Sequence, residues 1–353
     1  MATDEIMGWD VGGAHVKAAR LDGAGRVAAV WQEACPLWRG LEHLDGALDR
    51  ILAEAPAAPG RHGVTMTGEM ADLFADRGQG VHVLVDSLCR RLGGPERVRF
   101  YAGADGWLNA GSARLRPMRV ASANWHASAA LVAARLGEAL LVDIGSTTCD
   151  IVPVRGREVA TSSLGDAERL AAGELVYTGA VRTPLMAVAE AAPLQGRWIP
   201  LMAEHFATTA DVYRILGWLP EGADLYPSAD GGPKTAAGSR TRLARMLGRD
   251  AGDLPDSAWR ELAAWFADAQ LSRVARAIRQ VLSRDLLAAG APLVAAGSGA
   301  FLVPRLAARL DRPSLEFSSL LDYAGSARDA DGWSAWCAPA VAAGWLLRHE
   351  TAC

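Results

Sequence analysis

The N-terminal part of the chain begins with short apolar strands separated by glycine turns. Apolar residues run up to Asp10, a Gly12–Gly13 turn follows, and apolar and polar residues then alternate from His15 to Leu21. A DGAGR turn and another apolar stretch come next. Alternation with a period of two, interrupted by glycine turns, predicts a β-hairpin that is extended by a third strand.

The same pattern recurs in the middle of the chain. The segment ALLVDIGSTTCDIVPVRGREVATSSL has an apolar strand ending at Asp143, a Gly145–Ser146 turn, a strand through Ile151 to Val154 and an RGR turn. Internal similarity of this kind indicates a duplicated structural unit. We expect two α/β lobes that open with this hairpin and face each other across a central cleft, with Asp10 and Asp143 in equivalent places.

Helical patterns suggest how the lobes are connected. Ser122 to Gly137 is rich in Ala and begins with a possible Ser or Asn cap, which predicts a helix crossing between the lobes. Asp256 to Arg284 has apolar residues at helical spacing, whereas Ala223 to Arg240 is rich in Gly, Ser and Asp and predicts a loop. The predicted organisation is lobe I at 1–121, the crossing helix at 122–137 and lobe II at 138–337, with a C-terminal helix at 338–353 packing back on lobe I.

Composition and charge narrow the class of protein. With 353 residues, 50% hydrophobic and 22% charged, the chain is long enough for two globular lobes. A net charge of -4 offers no basic surface for nucleic acid, so we expect small-molecule substrates as partners. The five scattered cysteines predict neither a disulfide framework nor a metal pair. The acidic start MATDEIMGWD is unlike a signal peptide and no apolar run suits a membrane span, which predicts a soluble, cytoplasmic protein without membrane partners.

The aspartate and glycines of each hairpin suit a phosphorylated ligand. Glycines let a ligand approach the backbone, and successive turn N–H groups can surround a phosphate. A carboxylate repels phosphate unless a cation lies between them, so Asp10 and Asp143 are predicted to hold Mg²⁺ through water. Lys17 is expected to reach the same phosphate oxygens. For either copy alone, an ordinary hairpin with a capping aspartate explains the pattern equally well.

A third glycine turn strengthens this interpretation. It follows the apolar strand Pro292 to Ala296 and precedes a predicted helix, whose first N–H groups favour an anion. Hydroxyl groups in the second turn add further donors. The predicted phosphate-binding residues are Gly12, Gly13, Lys17, Gly145, Ser146, Thr147, Thr148, Gly297, Ser298 and Gly299.

The three turns resemble the two phosphate loops and the nucleotide-side loop of the actin, sugar-kinase and chaperone ATPase superfamily. DIGSTTCDI is similar, more narrowly, to the hydantoinase and oxoprolinase branch. The resemblance covers nearly the whole chain. It implies a two-lobed actin-like ATPase fold, which is an α/β, ribonuclease H-like fold with duplicated lobes around a central cleft.

Further segments narrow the resemblance. TMTGEMADLF, ASANW, YTGAVRTP, FATTADVYRILG, DGGPKT and RLARMLG resemble the synthase family of methanofuran and methylofuran biosynthesis, in tetrahydromethanopterin-linked one-carbon metabolism. The resemblance implies a transferase that joins an (aminomethyl)furanmethyl diphosphate to the phenol of a tyramine or tyrosine unit, with Mg²⁺ and no organic cofactor. Gly13–Ala14 stands where many superfamily kinases have Ser or Thr, which favours a diphosphate brought by the substrate over one brought by ATP.

Attack by a phenol requires a proton acceptor. Glu69, which follows the apolar strand Gly63 to Met66, is the first candidate, and Asp72, expected one helical turn on, is the second. Asp211 and His205 come next. A solvent-facing carboxylate at a helix start is the competing interpretation of Glu69, and a packed or surface histidine is that of His205.

Four further residues are candidates for contact with the substrates. Asn124 and Trp125, at the start of the crossing helix, could stack an aromatic ring, although tryptophan also fills lobe hinges. Arg182 and Lys234 could bind a carboxylate of the acceptor, with solvated surface side chains as the alternative.

Two other functions are compatible with this fold. An ATP-dependent small-molecule kinase or hydantoinase-type ATPase would bind ATP and release ADP. A nucleotide-switched binding or filament protein is disfavoured, because the chain has no obvious long insertion for polymer contacts. The sequence leaves open which phenol is the acceptor and what the oligomeric state is.

Overall fold

The computed structural model describes residues 5–55, 60–325 and 329–350. The chain forms two compact units. Unit 1 contains Met1–Leu141, Val152–Ala160 and Glu316–Cys353, and unit 2 contains Val142–Ile151 and Thr161–Leu315. These bounds differ from those of the predicted lobes, because the predicted crossing helix and parts of both strands of the second hairpin belong to unit 1.

The described residues form a mixed α/β structure. The strands are β1 (Ile6–Val11), β2 (His15–Leu21), β3 (Val27–Ala34), β4 (Arg61–Met66), β5 (Val98–Tyr101), β6 (Trp107–Leu108), β7 (Glu138–Ile144), β8 (Cys149–Arg155), β9 (Glu158–Val159), β10 (Leu175–Val176), β11 (Ala191–Leu194), β12 (Arg197–Pro200), β13 (Leu293–Ala296) and β14 (Ser314–Glu316). The helices are α1 (Glu42–Glu54), α2 (Arg77–Arg91), α3 (Ala110–Leu115), α4 (Pro117–Val120), α5 (Asn124–Arg135), α6 (Asp166–Ala172), α7 (Thr209–Leu216), α8 (Ala236–Arg245), α9 (Asp256–Leu282), α10 (Val303–Leu310), α11 (Asp329–Ser334) and α12 (Ala338–Arg348).

Unit 1 is built on a sheet with the strand order β3-β2-β1-β4-β5-β6. The predicted hairpin is present, since β1 and β2 are antiparallel with Asp10 opposite Lys17, and β3 continues the meander. β4 runs parallel to β1 and places Thr65 beside Asp10. Every residue of β1 is buried, which explains its almost continuous apolar sequence. Helix α12 packs on β1, and α5 packs on α12.

The second sheet has the strand order β10-β8-β7-β13-β14, with β9 paired to β8, and β11 and β12 form a separate hairpin. The predicted strands that end at Asp143 and run through Ile151 to Val154 are β7 and β8. The predicted long helix is α9, which begins at Asp256 as expected. Among the described residues, no helix is both long and apolar enough to cross a membrane.

Three local expectations are wrong. The predicted loop ends at Thr235, whose hydroxyl accepts the N–H of Gly238 and starts α8, so part of its polar composition belongs to a helix cap. Helix α5 has no side-chain cap of the predicted Ser or Asn type. Glu69 and Asp72 do not share a helix, because the 3₁₀ helix Gly68–Met70 is followed by extended backbone.

Four cysteines lie in the described part of the chain. All four are buried and form no disulfide; they are Cys35, Cys89, Cys149 and Cys337. Cys353 lies outside the described residues.

Candidate functional site

The first glycine turn follows β1 in unit 1. The N–H of Gly12 donates to the carbonyl of His15 at 2.9 Å and closes the hairpin. Asp10 is buried, and Lys17 lies directly opposite it in the antiparallel register, which places both side chains on one face of the sheet. The structure therefore brings the predicted cation ligand, the predicted phosphate-binding lysine and Gly12–Gly13 together in unit 1.

The second glycine turn joins β7 to β8 and lies in unit 2. The N–H of Gly145 donates to the carbonyl of Thr148 at 2.8 Å. The hydroxyl oxygens of Ser146 and Thr147 are 3.4 Å apart, and both residues are partly exposed. Asp143 is buried at the end of β7. The second copy thus repeats the hairpin of the first and adds hydroxyl donors.

The YTGAVRTP segment packs against the second turn. Three successive N–H groups, from Ala180 to Arg182, donate to the carbonyls of Gly145 and Ser146 at 2.8 to 3.1 Å. A Cβ on Gly179 would lie 2.4 Å from the carbonyl carbon of Ser146, so only glycine allows this close approach. The segment therefore fixes the conformation of the turn from outside the hairpin.

Buried polar side chains hold this supporting segment in place. The amide of Gln270 on α9 and the hydroxyl of Thr209 on α7 donate to the carbonyl of Gly179 at 2.8 and 2.9 Å. Sequence reasoning gave neither residue a role. Gln270 could have been noticed, because it is a polar residue on the apolar, core-facing stripe of α9.

The third glycine turn follows β13 and meets Asp143 within unit 2. The N–H of Gly299 donates to the carbonyl of Ile144 at 2.7 Å. Gly297 has a φ of +81°, and a Cβ there would lie 2.3 Å from Oδ1 of Asp143. Ser298 is 5% exposed, and its Oγ has no hydrogen-bond partner among the described residues. A buried hydroxyl without a hydrogen-bond partner destabilises the folded state, which is consistent with a ligand that would accept a hydrogen bond from Ser298.

The donors at these turns fit Mg²⁺ held largely through water. The described residues contain no cluster of three or more His, Cys, Asp or Glu that would surround a metal ion. Magnesium usually keeps several waters and uses one or two protein carboxylates together with phosphate oxygens. Asp143, whose Oδ1 lies close to the backbone of Gly297, and Asp10 are suitable carboxylate ligands of this kind.

Glu69 lies beside the first glycine turn in unit 1. The N–H of Thr67, two residues earlier, donates to the carbonyl of Val11 at 3.0 Å. Glu69 is 1% exposed, so the solvent-facing interpretation is wrong. The hydroxyl of Ser122 donates to its Oε1 at 2.8 Å. Burial raises the pKa of Glu69, and the hydrogen bond from Ser122 partly opposes this effect.

The other candidate bases are either exposed or already bonded to neighbouring side chains. Asp72 and His205 are both exposed. Asp211 is buried, but its Oδ1 accepts from Ser239 at 2.7 Å and from Arg242 at 2.9 Å. It also completes the capping box at the start of α7, which the TTAD sequence could have revealed. Asp211 is thus engaged in holding helices α7 and α8.

The candidate substrate contacts are divided between the units. In unit 1, Trp125 is buried, and its backbone N–H donates to Oδ1 of Asn124 at 2.8 Å. In unit 2, Lys234 is exposed and donates to the carbonyl of Asp224 at 2.7 Å. Arg182 is exposed, and its backbone N–H donates to the carbonyl of Ser146 in the second turn. Arg182 therefore lies next to a predicted phosphate loop.

Comparisons with known proteins place this chain in a family. The sequence model of the hydantoinase/oxoprolinase family matches residues 61–318. A protein of Methanocaldococcus jannaschii named (4-{4-[2-(gamma-L-glutamylamino)ethyl]phenoxymethyl}furan-2-yl)methanamine synthase is 30% identical over 247 residues, which cover 69% of this chain and 72% of the relative. This chain belongs to that synthase family. The family lies within the hydantoinase/oxoprolinase branch, as the resemblance implied. A synthase of the same name from Methanococcus vannielii is 33% identical over 111 residues, 31% of this chain and 50% of the relative.

One solved structure supports the predicted α/β fold class. The nucleotide-free structure of an acetone carboxylase, an enzyme of ATP-dependent acetone carboxylation, has a TM-score of 0.58 at 10% identity, covering 98% of this chain and 70% of that one. A ROK family glucokinase from Streptomyces griseus is also similar, with a TM-score of 0.46 at 13% identity, covering 96% and 98% of the two chains. This chain has a mixed α/β fold, which it shares with the acetone carboxylase.

Proposed function

We propose that this protein is a transferase that joins an (aminomethyl)furanmethyl diphosphate to the phenol of a tyramine or tyrosine unit, with or without a glutamyl group. The observation that carries the proposal is the relation to the M. jannaschii synthase, whose product name contains a phenoxymethyl link to a furan ring. Forming that link requires attack of a phenol oxygen on the furanmethyl carbon. The bond from this carbon to diphosphate breaks, diphosphate leaves with the bonding electrons, and a base takes the phenol proton.

The turns of unit 2 offer donors for the departing diphosphate. The hydroxyls of Ser146 and Thr147 and the buried Oγ of Ser298 are suited to hydrogen-bond its oxygens, and donors that are already in place stabilise developing charge without reorganisation. Asp143 of unit 2 would hold Mg²⁺ through water, and the ion would neutralise part of the charge on diphosphate. At the corresponding turn of unit 1, Asp10 is proposed as a cation ligand and Lys17 as a phosphate-binding residue.

Glu69 is the proposed proton acceptor. A free phenol has a pKa near 10, so an ordinary carboxylate is a weak base toward it. Burial raises the pKa of Glu69 and brings it closer to that of the phenol, which makes proton transfer less unfavourable. Its second oxygen, Oε2, accepts no hydrogen bond from the described residues, so it is chemically suited to receive a proton.

A reconstituted reaction tests the proposal. The purified protein, Mg²⁺, synthetic (aminomethyl)furanmethyl diphosphate and tyramine, tyrosine or γ-glutamyltyramine should release diphosphate and form the corresponding aryl ether, detected by its mass. Inorganic diphosphate should also raise the melting temperature at least as much as ATP does, because a bound ligand stabilises the folded state. If product forms only with ATP and ADP accumulates with it, the ATP-dependent alternative replaces this proposal.

A further inference from the structure

We infer that Ser122 is a positioning residue for Glu69, binding one carboxyl oxygen and leaving the other as the proton acceptor. The inference rests on the proposed function, in which Glu69 is the base. It adds a residue that is not among the predicted site residues, and it assigns different tasks to the two carboxyl oxygens.

The geometry around the carboxyl carries the inference. The Oγ of Ser122 donates to Oε1 of Glu69 at 2.8 Å, while Oε2 is buried and accepts no hydrogen bond from the described residues. One oxygen is therefore occupied and the other is available. A carboxyl that served only to tie two segments together would normally have both buried oxygens bonded.

The backbone of Ser122 is held in an unusual conformation. Its φ of +52° lies in the left-handed region, which serine rarely adopts, and the residue is 8% exposed. Glycine would occupy this position without steric cost, but it lacks the hydroxyl that reaches Glu69. Strained residues of this kind are concentrated at functional sites, because the surrounding fold maintains a conformation that is useful there.

Helix α2 packs against Glu69. A Cβ on Gly80 would lie 2.5 Å from the carbonyl oxygen of Glu69, so the helix packs directly on its backbone. The guanidinium of Arg77, on the same helix, and the hydroxyl and backbone of Ser122 favour the ionised carboxyl against the opposing effect of burial. The base is thus fixed from two sides, and its ionisation depends on groups from both.

The test measures ionisation of Glu69 directly and separates it from activity. In protein labelled with ¹³C at the glutamate carboxyls, the Glu69 signal is identified by its absence in Glu69→Gln, and its titration midpoint is followed in each variant. Ser122→Ala removes a hydrogen bond to the ionised form, so the midpoint should rise by about one pH unit. Ser122→Gly should raise it similarly while keeping or raising the melting temperature, because the strain is relieved. Ser122→Thr, which keeps the hydroxyl on a β-branched residue, should show a lower melting temperature and a nearly unchanged midpoint.

A matched control and the turnover profile complete the experiment. Ser128→Ala removes another buried serine hydroxyl, one that has no hydrogen-bond partner among the described residues, and should leave the midpoint unchanged. The acid limb of the pH dependence of kcat should move upward with the Glu69 midpoint in Ser122→Ala and Ser122→Gly. An unchanged midpoint in both variants overturns the inference. A raised midpoint with an unmoved kcat profile upholds the action of Ser122 on Glu69 and rejects Glu69 as the base.

Discussion

The first and second glycine turns have the same local structure but different surroundings. Gly12 and Gly145 each donate to the carbonyl three residues on, at 2.9 and 2.8 Å. A Cβ on Gly13 would meet nothing within 4 Å, whereas a Cβ on Gly179 would lie 2.4 Å from the carbonyl carbon of Ser146 in the second turn. The conformation of each hairpin is thus set by residues of the hairpin itself, whereas the segments that pack against it differ between the two units.

This difference supports separate roles for the two turns. The second turn carries hydroxyl groups and is held rigidly by the YTGAVRTP segment, both of which suit the binding of diphosphate. The first turn lacks hydroxyls and lies beside the segment that carries the buried Glu69, which suits proton transfer.

Removing either turn aspartate should cause the largest loss of activity. Asp143→Asn and Asp10→Asn should each lower kcat by roughly a hundred- to a thousandfold, because charge stabilisation of the leaving group is lost. The substitution keeps the shape of the side chain, so circular dichroism and the melting temperature should change little. Normal turnover of both variants at saturating Mg²⁺ would reject the proposed cation ligands.

Adding a methyl group should distinguish the surroundings of the turns. Gly179→Ala should lower the free energy of unfolding by about 3 kcal/mol, because its Cβ would overlap the backbone of Ser146. Gly13→Ala, where the space is open, should change it by less than about 0.5 kcal/mol. Urea unfolding measures both. Equal losses would show that the two turns are supported alike.

Replacing the proposed base should affect turnover and stability in opposite ways. Glu69→Gln should lower kcat roughly a hundredfold at neutral pH, and higher pH should restore part of it because solvent then supplies phenolate. The pKa of Glu69 is raised in the folded state, so its contribution to stability is present below the ordinary carboxyl pKa and declines as pH rises. The variant should therefore gain stability relative to the wild type as the pH rises above the ordinary carboxyl pKa of about 4.5. The exposed Asp72→Asn serves as the control and should behave as the wild type in both measurements.

Acid should weaken the sheet of unit 1 through a buried histidine. Burial lowers the pKa of His62 to about 4, and its Nδ1 accepts the indole N–H of Trp9 at 3.1 Å. The folded state favours neutral His62, so this stabilisation is present above pH 6.5 and is lost as pH falls through about 4. The loss should amount to about 3 kcal/mol. Hydrogen exchange should show weaker protection of β1 and β4 at pH 4 than at pH 7, and His62→Gln should reduce this pH dependence.

The hairpins could be predicted because their determinants are close together in the chain. Alternating apolar residues and the glycines at Gly12 and Gly145 are sufficient to specify where each strand ends and turns. Helices α9 and α12 followed from apolar spacing and from the proline in the first turn of α12. The sequence does not distinguish the helix cap at Thr235 from a loop, because serine, threonine and glycine occur in both.

The supports of the site were beyond the reach of the sequence alone. Ser122 and Glu69 are 53 positions apart, and Gln270 and Gly179 are 91 positions apart, so no local pattern links them. Short-range patterns specify the strands, the turns and the types of side chain at them, because these depend on neighbours within a few residues. The burial of Glu69, the bonding of one of its oxygens and the packing against the second turn arise only in the folded chain. Desolvation and hydrogen bonding depend on atoms that come together only when the chain folds.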